Sequence, residues 1–127
     1  MIREHYILDD VTLLGLGGSR QVSGLVHAAR LEPFVFLHTP ALCVIEAERE
    51  RTGIAVHVGQ LGIATVDLGY SAVLTCCQLH QEGLTFGAAA AVEAARRVGE
   101  EYEDPFIATV RPGLYEKHFT RVVDLNR

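Results

Sequence analysis

In the stretch His5-Tyr6-Ile7-Leu8-Asp9-Asp10-Val11-Thr12-Leu13-Leu14, a run of Tyr, Ile and Leu leads into two adjacent carboxylates before apolar residues resume. Short apolar runs rich in aromatic and β-branched residues read as strands buried on both faces, and Tyr6 to Val11 is predicted as the first strand. Acids where such a strand stops are costly to bury unless they have a strong partner or a purpose. In open α/β sheets, the crevice beyond the carboxyl ends of the strands is where ligands bind. Asp9 and Asp10 are therefore the first candidate site residues.

Outward from this stretch, strands and helices alternate. Gly15-Leu16-Gly17-Gly18 breaks the pattern, and Ser19 is placed to cap a helix over Arg20 to Leu31, where Val22, Leu25, Val26 and Ala29 recur at helical spacing. These glycines lack the order of a phosphate loop and read as a plain loop entering a helix. Phe34 to Leu37 is a second short strand. Thr39-Pro40 predicts a helix start, with Thr as cap and Pro at the first helical position, running to about Arg51 with Gly53 at its end. Leu42, Cys43 and Ile45 are assigned to its apolar face, with Glu46 beside them.

Residues 54–61 fit either helix or strand. Gly62 to Val66 is a third strand, after which Asp67 is expected to cap a helix over Gly69 to Gln81. Thr85 opens a long helix, Phe86 to about Tyr102, in which Glu93 and Arg97 are spaced for a helical ion pair. Phe106 to Val110 is a fourth strand, and Arg121 to Leu125 a fifth at a sheet edge. Strands separated by helices throughout predict one α/β domain over residues 1–127, a three-layer sandwich with a mostly parallel sheet of about five strands.

The bulk properties agree. The chain has 127 residues, 49% of them hydrophobic and 21% charged, enough for one folded core. No apolar run reaches the length of a membrane helix, no leader is expected before Met1-Ile2-Arg3, and the cytoplasm is the expected compartment, with no membrane partner. The net charge of −5 disfavours tight non-specific nucleic-acid binding, without excluding a metal-dependent nuclease. Cys43, Cys76 and Cys77 form no CxxC pair and read as small apolar residues. The six histidines lack zinc-site spacing.

The order of elements resembles the PIN domains, metal-dependent ribonucleases that include many bacterial toxins. Tyr6-Ile7-Leu8-Asp9 looks like that family's opening strand and first metal-binding Asp. Thr39-Pro40-Ala41-Leu42 leading to Glu46 looks like the segment carrying its Glu. Gly83-Leu84-Thr85 and the alanine-rich helix look like the segment that begins with its third acid, and Phe106-Ile107-Ala108-Thr109 like the strand leading to its fourth. Together these stretches cover nearly the whole chain in the family's order.

The resemblance implies Mg²⁺ or Mn²⁺ on carboxylate oxygens, activating a water and neutralising charge on a scissile phosphate. Asp9 and Glu46 match the first two acids as catalytic and metal-binding residues, with Asp10 a further metal candidate. The chain departs from the pattern at the other two: Gly87 and Ala88 stand where the third acid is expected, and Arg111 where the fourth is expected. Arg111, permanently charged, is expected to balance Asp9, Asp10 or Glu46, against the simpler reading that it opens a turn before Pro112-Gly113. The expectation is a PIN-like interaction module with a degenerate active site, non-catalytic or weakly active. A homodimer or a small antitoxin-like protein is the expected partner, and RNA only if nuclease activity is retained. Gly87 to Ala91 and the helix Ala72 to Leu79 are candidates for a dimer seam, although most of these residues are expected to pack on the sheet instead.

Two enzymatic or signalling alternatives stand beside it. An active Mg²⁺- or Mn²⁺-dependent ribonuclease of a toxin–antitoxin pair needs a replacement acid, with Asp10 first and Asp67 or Asp104 more distant. A receiver-like signalling domain is suggested by Leu8-Asp9-Asp10 and Val66-Asp67-Leu68, but the sole lysine, Lys117, does not end a strand.

Overall fold

The computed structural model describes residues 2–126. It is an α/β sandwich around a five-stranded, all-parallel sheet in the order β3-β2-β1-β4-β5. The strands are β1 (Glu4–Leu8), β2 (Val35–Pro40), β3 (Ala64–Val66), β4 (Phe106–Thr109) and β5 (Val122–Asp124). The helices are α1 (Asp10–Leu13), α2 (Arg20–Leu31), α3 (Ala41–Glu50), α4 (Ile54–Gln60), α5 (Tyr70–Gln81) and α6 (Phe86–Glu101), with a 3₁₀ turn at Pro112–Tyr115. Ile7 and Leu8 are neighbours in β1, so their side chains point to opposite faces, and both are fully buried. The central strand is covered on both sides, which is why it reads as an unbroken apolar run.

β1 pairs with β2 from Glu4–Val35 to Ile7–His38 and with β4 from Tyr6–Phe106 to Leu8–Ala108. The chain lays β1, β2 and β3 outward in one direction, then returns to place β4 on the other side of β1. The order reverses between β1 and β4, which is where an open α/β sheet leaves its crevice. α6 crosses β1, β2 and β4, with α5 against it. Its run from Gly87 to Val92 is buried throughout, so small side chains let this helix approach the sheet closely. Those residues are interior to one copy of the chain, as are Ala72, Cys76 and Leu79 of α5, so most of both stretches pack within the fold, as expected. The outward stripe of α5 carries Tyr70 and Leu74 instead, 77% and 54% exposed.

Several predicted boundaries shift. The first strand ends at Leu8 rather than Val11: the Asp9 side chain accepts the Thr12 amide N–H and starts α1, so the apolar residues that follow belong to a buried helical turn. Thr39 and Pro40 close β2, and the next helix opens one residue later than predicted. Pro40 is the cap residue of α3 and makes no side-chain hydrogen bond, while the Thr39 hydroxyl donates to the Leu8 carbonyl across the sheet. Within α3 the buried residues are Cys43 and Ala47, whereas Ile45 is 64% exposed. Gly53, at φ +103°, starts α4 directly after α3, a backbone conformation that favours glycine. Asp67 does not cap α5, a role that falls to Gly69; its carbonyl accepts from Arg97. Ser19 and Thr85 do cap their helices, and Arg97 pairs with Glu93 at 2.7 Å.

Candidate functional site

The crevice at the carboxyl ends of β1 and β4 is built around Asp9. Its side chain is completely buried, and burying a carboxylate demands compensation. Compensation comes from four donors in three parts of the chain. On Oδ1, Asp9 accepts the Thr12 amide N–H at 3.1 Å and the Thr12 hydroxyl at 2.5 Å. On Oδ2 it accepts the Thr109 hydroxyl at 2.8 Å and the Tyr115 hydroxyl at 2.5 Å. A carboxylate offers about four lone-pair directions, so all of them are used.

The donors are themselves held. The Thr12 hydroxyl accepts the Val110 amide at 3.2 Å, and the Thr109 hydroxyl accepts the Arg111 amide at 3.0 Å. Tyr115 is fully buried at the end of the 3₁₀ turn. Burial, the Asp9 charge and the hydrogen bond to Asp9 together drive its pKa far above the ordinary tyrosine range, so the ring presents a protonated donor. Asp9 thereby ties the end of β1 to α1, to the end of β4 and to the turn beyond it.

Asp10 lies on the other side of the same junction, at the first position of α1. A Cβ added at Gly87 would collide with its carboxyl group, which places the start of α6 directly against it. The Asp10 pKa is raised, first by burial and then by the Asp9 charge; the amides of Val11 and of Asp10 itself act the other way, and Glu46 adds a smaller push upward. Cys43 sits fully buried between these elements, its thiol donating to the Gly87 carbonyl at 3.3 Å. Burial, then Asp10 and Asp9, push that thiol well above its ordinary pKa, so it is an inert packing residue rather than a nucleophile. Glu46 is partly exposed and pairs with the exposed Arg49 at 2.5 Å.

The structure thus brings Asp9, Asp10 and Glu46 to one junction, with Gly87 beside them. Arg111 does not join them. It is exposed, forms no ion pair with any of the three, and precedes the 3₁₀ turn that opens at Pro112. Its contribution is the backbone N–H that orients Thr109. The charge-balancing role expected of Arg111 belongs to Thr12, Thr109 and Tyr115, whose hydroxyls the crevice had to supply once Asp9 was buried. Thr12 was legible as the third helical residue after an Asp cap. Tyr115, 106 residues away, left no local signal.

The other candidate acids are elsewhere. Asp67 follows β3, two strands away from β1 and about 10 Å across the sheet at ordinary strand spacing. Asp104 and Lys117 are both exposed, Asp104 before β4 and Lys117 after the 3₁₀ turn. The acidic pair and phosphoacceptor that a receiver needs side by side are therefore not assembled.

The donor set fits a divalent ion only in part. Among the described residues no three His, Cys, Asp or Glu side chains are arranged to hold one. A hard cation on Asp9 would have to displace hydroxyl donors already in place, leaving Asp10 and Glu46 as the available carboxylates. Comparison with protein-family models and with curated proteins returns no match for this chain.

Proposed function

We propose that the chain is a PIN-like domain whose first acid has become a structural hub, and that it works as a non-catalytic interaction module. The observation that supports this reading is the closed hydrogen-bond shell of Asp9: four protein donors occupy the oxygens that a catalytic metal would need. Gly87, standing where a third acid is expected, leaves the opposite wall without a ligand. Exposed apolar side chains on the helices suit a protein partner, notably Ile45, Val56, Tyr70 and Leu74. The partner in this reading is a second copy of the chain or a small antitoxin-like protein.

A second reading has one observation in its favour. Asp10 and Glu46 are close enough for the Glu46 charge to raise the Asp10 pKa, and a Mg²⁺ or Mn²⁺ ion between them would relieve that repulsion. It would make the domain a weak metal-dependent ribonuclease. The two readings separate in a paired assay of RNA cleavage with Mg²⁺ or Mn²⁺ and calorimetric titration of the same ions. The proposed module shows neither cleavage nor tight ion binding, and sediments as a dimer or associates with its partner. Cleavage that disappears in Glu46→Gln would overturn it. Glu46 is the position to change because it is partly exposed, whereas Asp9→Asn would disturb the fold itself.

A further inference from the structure

Away from the acidic crevice, a cavity of about 220 Å³ opens where the loop after α1 meets α2 and α4. Ser23, His27 and Arg30 reach it from α2 at positions i, i+4 and i+7, a single stripe of that helix, with Val26 at i+3 beneath them. His57 of α4 faces them, and Leu16 and Leu61 complete the apolar lining. None of the four polar side chains has a hydrogen-bond or ion-pair partner among the described residues. No Asp or Glu lines the cavity, although the chain has 16 acids and a net charge of −5. The loop is held in place by Arg51, whose guanidinium donates to the Leu16 carbonyl at 3.0 Å, and Gly17 at φ +80° brings its backbone alongside the His57 ring.

We propose that this cavity binds a phosphate group. A guanidinium fork, two imidazoles and a hydroxyl converging without any competing carboxylate match a phosphate's charge and its oxygens. An acidic protein gains nothing in stability by leaving a guanidinium unpaired among other polar side chains in one recess, and an anionic ligand gives them their partner. A second cavity of about 150 Å³ shares Arg30 with the first and runs to the exposed edge of Phe36. Phosphate attached to a nucleoside would have its ring directed there, whereas free phosphate uses the first cavity alone. The site is independent of the interaction-module reading, since it shares no residue with the Asp9 crevice.

The test is calorimetric titration of the full chain with inorganic phosphate and with adenosine 5′-monophosphate. Both are expected to bind with dissociation constants of about 1 mM or tighter. Equal affinities identify the phosphate group alone as the ligand, and a several-fold advantage for the nucleotide that is lost in Phe36→Ala extends the site to the second cavity. Arg30→Gln and His57→Gln each weaken both ligands by about tenfold or more. Arg20→Gln is the control: it removes the same charge from an exposed position of α2 outside the cavity and leaves affinity unchanged. Absence of binding up to about 10 mM of either ligand would overturn the proposal. So would equal weakening by Arg20→Gln and Arg30→Gln, which reduces the effect to overall charge. Arg20 and Arg30 are exposed and His57 is partly exposed, so these three variants retain the wild-type melting temperature, and a lost signal reports on the site.

Discussion

At the scale of single residues, Asp9 and Asp10 are adjacent carboxylates with opposite effects on stability. Asp9 is a hub whose four donors come from Thr12, Thr109 and Tyr115. Tyr115→Phe keeps the ring and removes one donor from a buried carboxylate, a loss of about 2 kcal/mol. Urea unfolding measures this directly, and an effect near zero would mean that Asp9 is not held as described. Asp10 works the other way. Its folded pKa lies above the ordinary value of 3.8, so the fold prefers the protonated form. The stability this provides is present in acid and lost as the pH rises through the folded value, leaving a penalty at neutral pH. Asp10→Asn mimics the protonated form, and its melting temperature at pH 7 is expected to rise by a few degrees, with little change at pH 3. A variant that melts earlier than wild type at pH 7 would contradict this account. How much of the pair was legible follows from the same chemistry. That an acid stands at the end of a buried strand is visible in the order of residues. Which partners make it tolerable is not, because Thr109 and Tyr115 reach Asp9 through the fold and not through any local spacing.

At the scale of elements, the helices with polar caps and periodic faces were readable, and the junctions between elements were not. Ser19 before α2 and Thr85 before α6 combine a side-chain acceptor with a repeating apolar stripe, two signals that agree. Between β2 and α3 the signals conflict: Thr39-Pro40 has the chemistry of a helix start, but pairing with β3 through Thr65 and Val66 keeps both residues in the strand. Proline suits the last position of such a strand and the turn into a helix equally well, so only the neighbouring strand settles the boundary. The start of α6 shows a different limit. Gly87 reads as a weak helical residue, yet its missing Cβ is what leaves room for the Asp10 carboxyl group. Gly87→Ala adds roughly 1 kcal/mol of helix propensity and forces Asp10 out of its position, so a net loss of about 1–3 kcal/mol is expected. In an Asp10→Ala background the colliding carboxyl group is gone, and the cost of the same change is expected to shrink. A double-mutant cycle measures this coupling, and additive effects would show that the two residues do not touch.

At the scale of the whole molecule, the sheet has a second, half-buried polar pair far from the acidic crevice, and it contributes to the response to acid. His5 on β1 and His38 on β2 place Nδ1 and Nε2 2.9 Å apart, across the central strand pair. His5 is stacked between Phe36 and Tyr102, and its Nε2 is buried without a partner. An imidazole so enclosed resists protonation. Burial lowers the His5 pKa, opposed by Glu103 and assisted by Arg3, while burial and the facing His5 lower that of His38 to about 4. A base whose folded pKa is depressed stays neutral in the fold while the unfolded chain takes up its proton. Stability is therefore intact above the ordinary value of 6.5 and declines as the pH falls toward about 4, where the folded His38 also protonates. The loss across that window is on the order of 2 kcal/mol for His38 after allowance for its partial exposure. Carboxylates contribute to acid unfolding as well, Asp10 in the opposite sense, so a single pH profile cannot isolate the pair. The difference between two profiles can. Melting temperatures of wild type and His38→Gln are expected to converge toward pH 4.5 relative to their separation at pH 7.5, because the variant has no imidazole there to charge. Parallel profiles over that range would place the acid sensitivity in the carboxylates alone. The imidazoles would then be packing groups whose enclosure has no consequence for stability against acid.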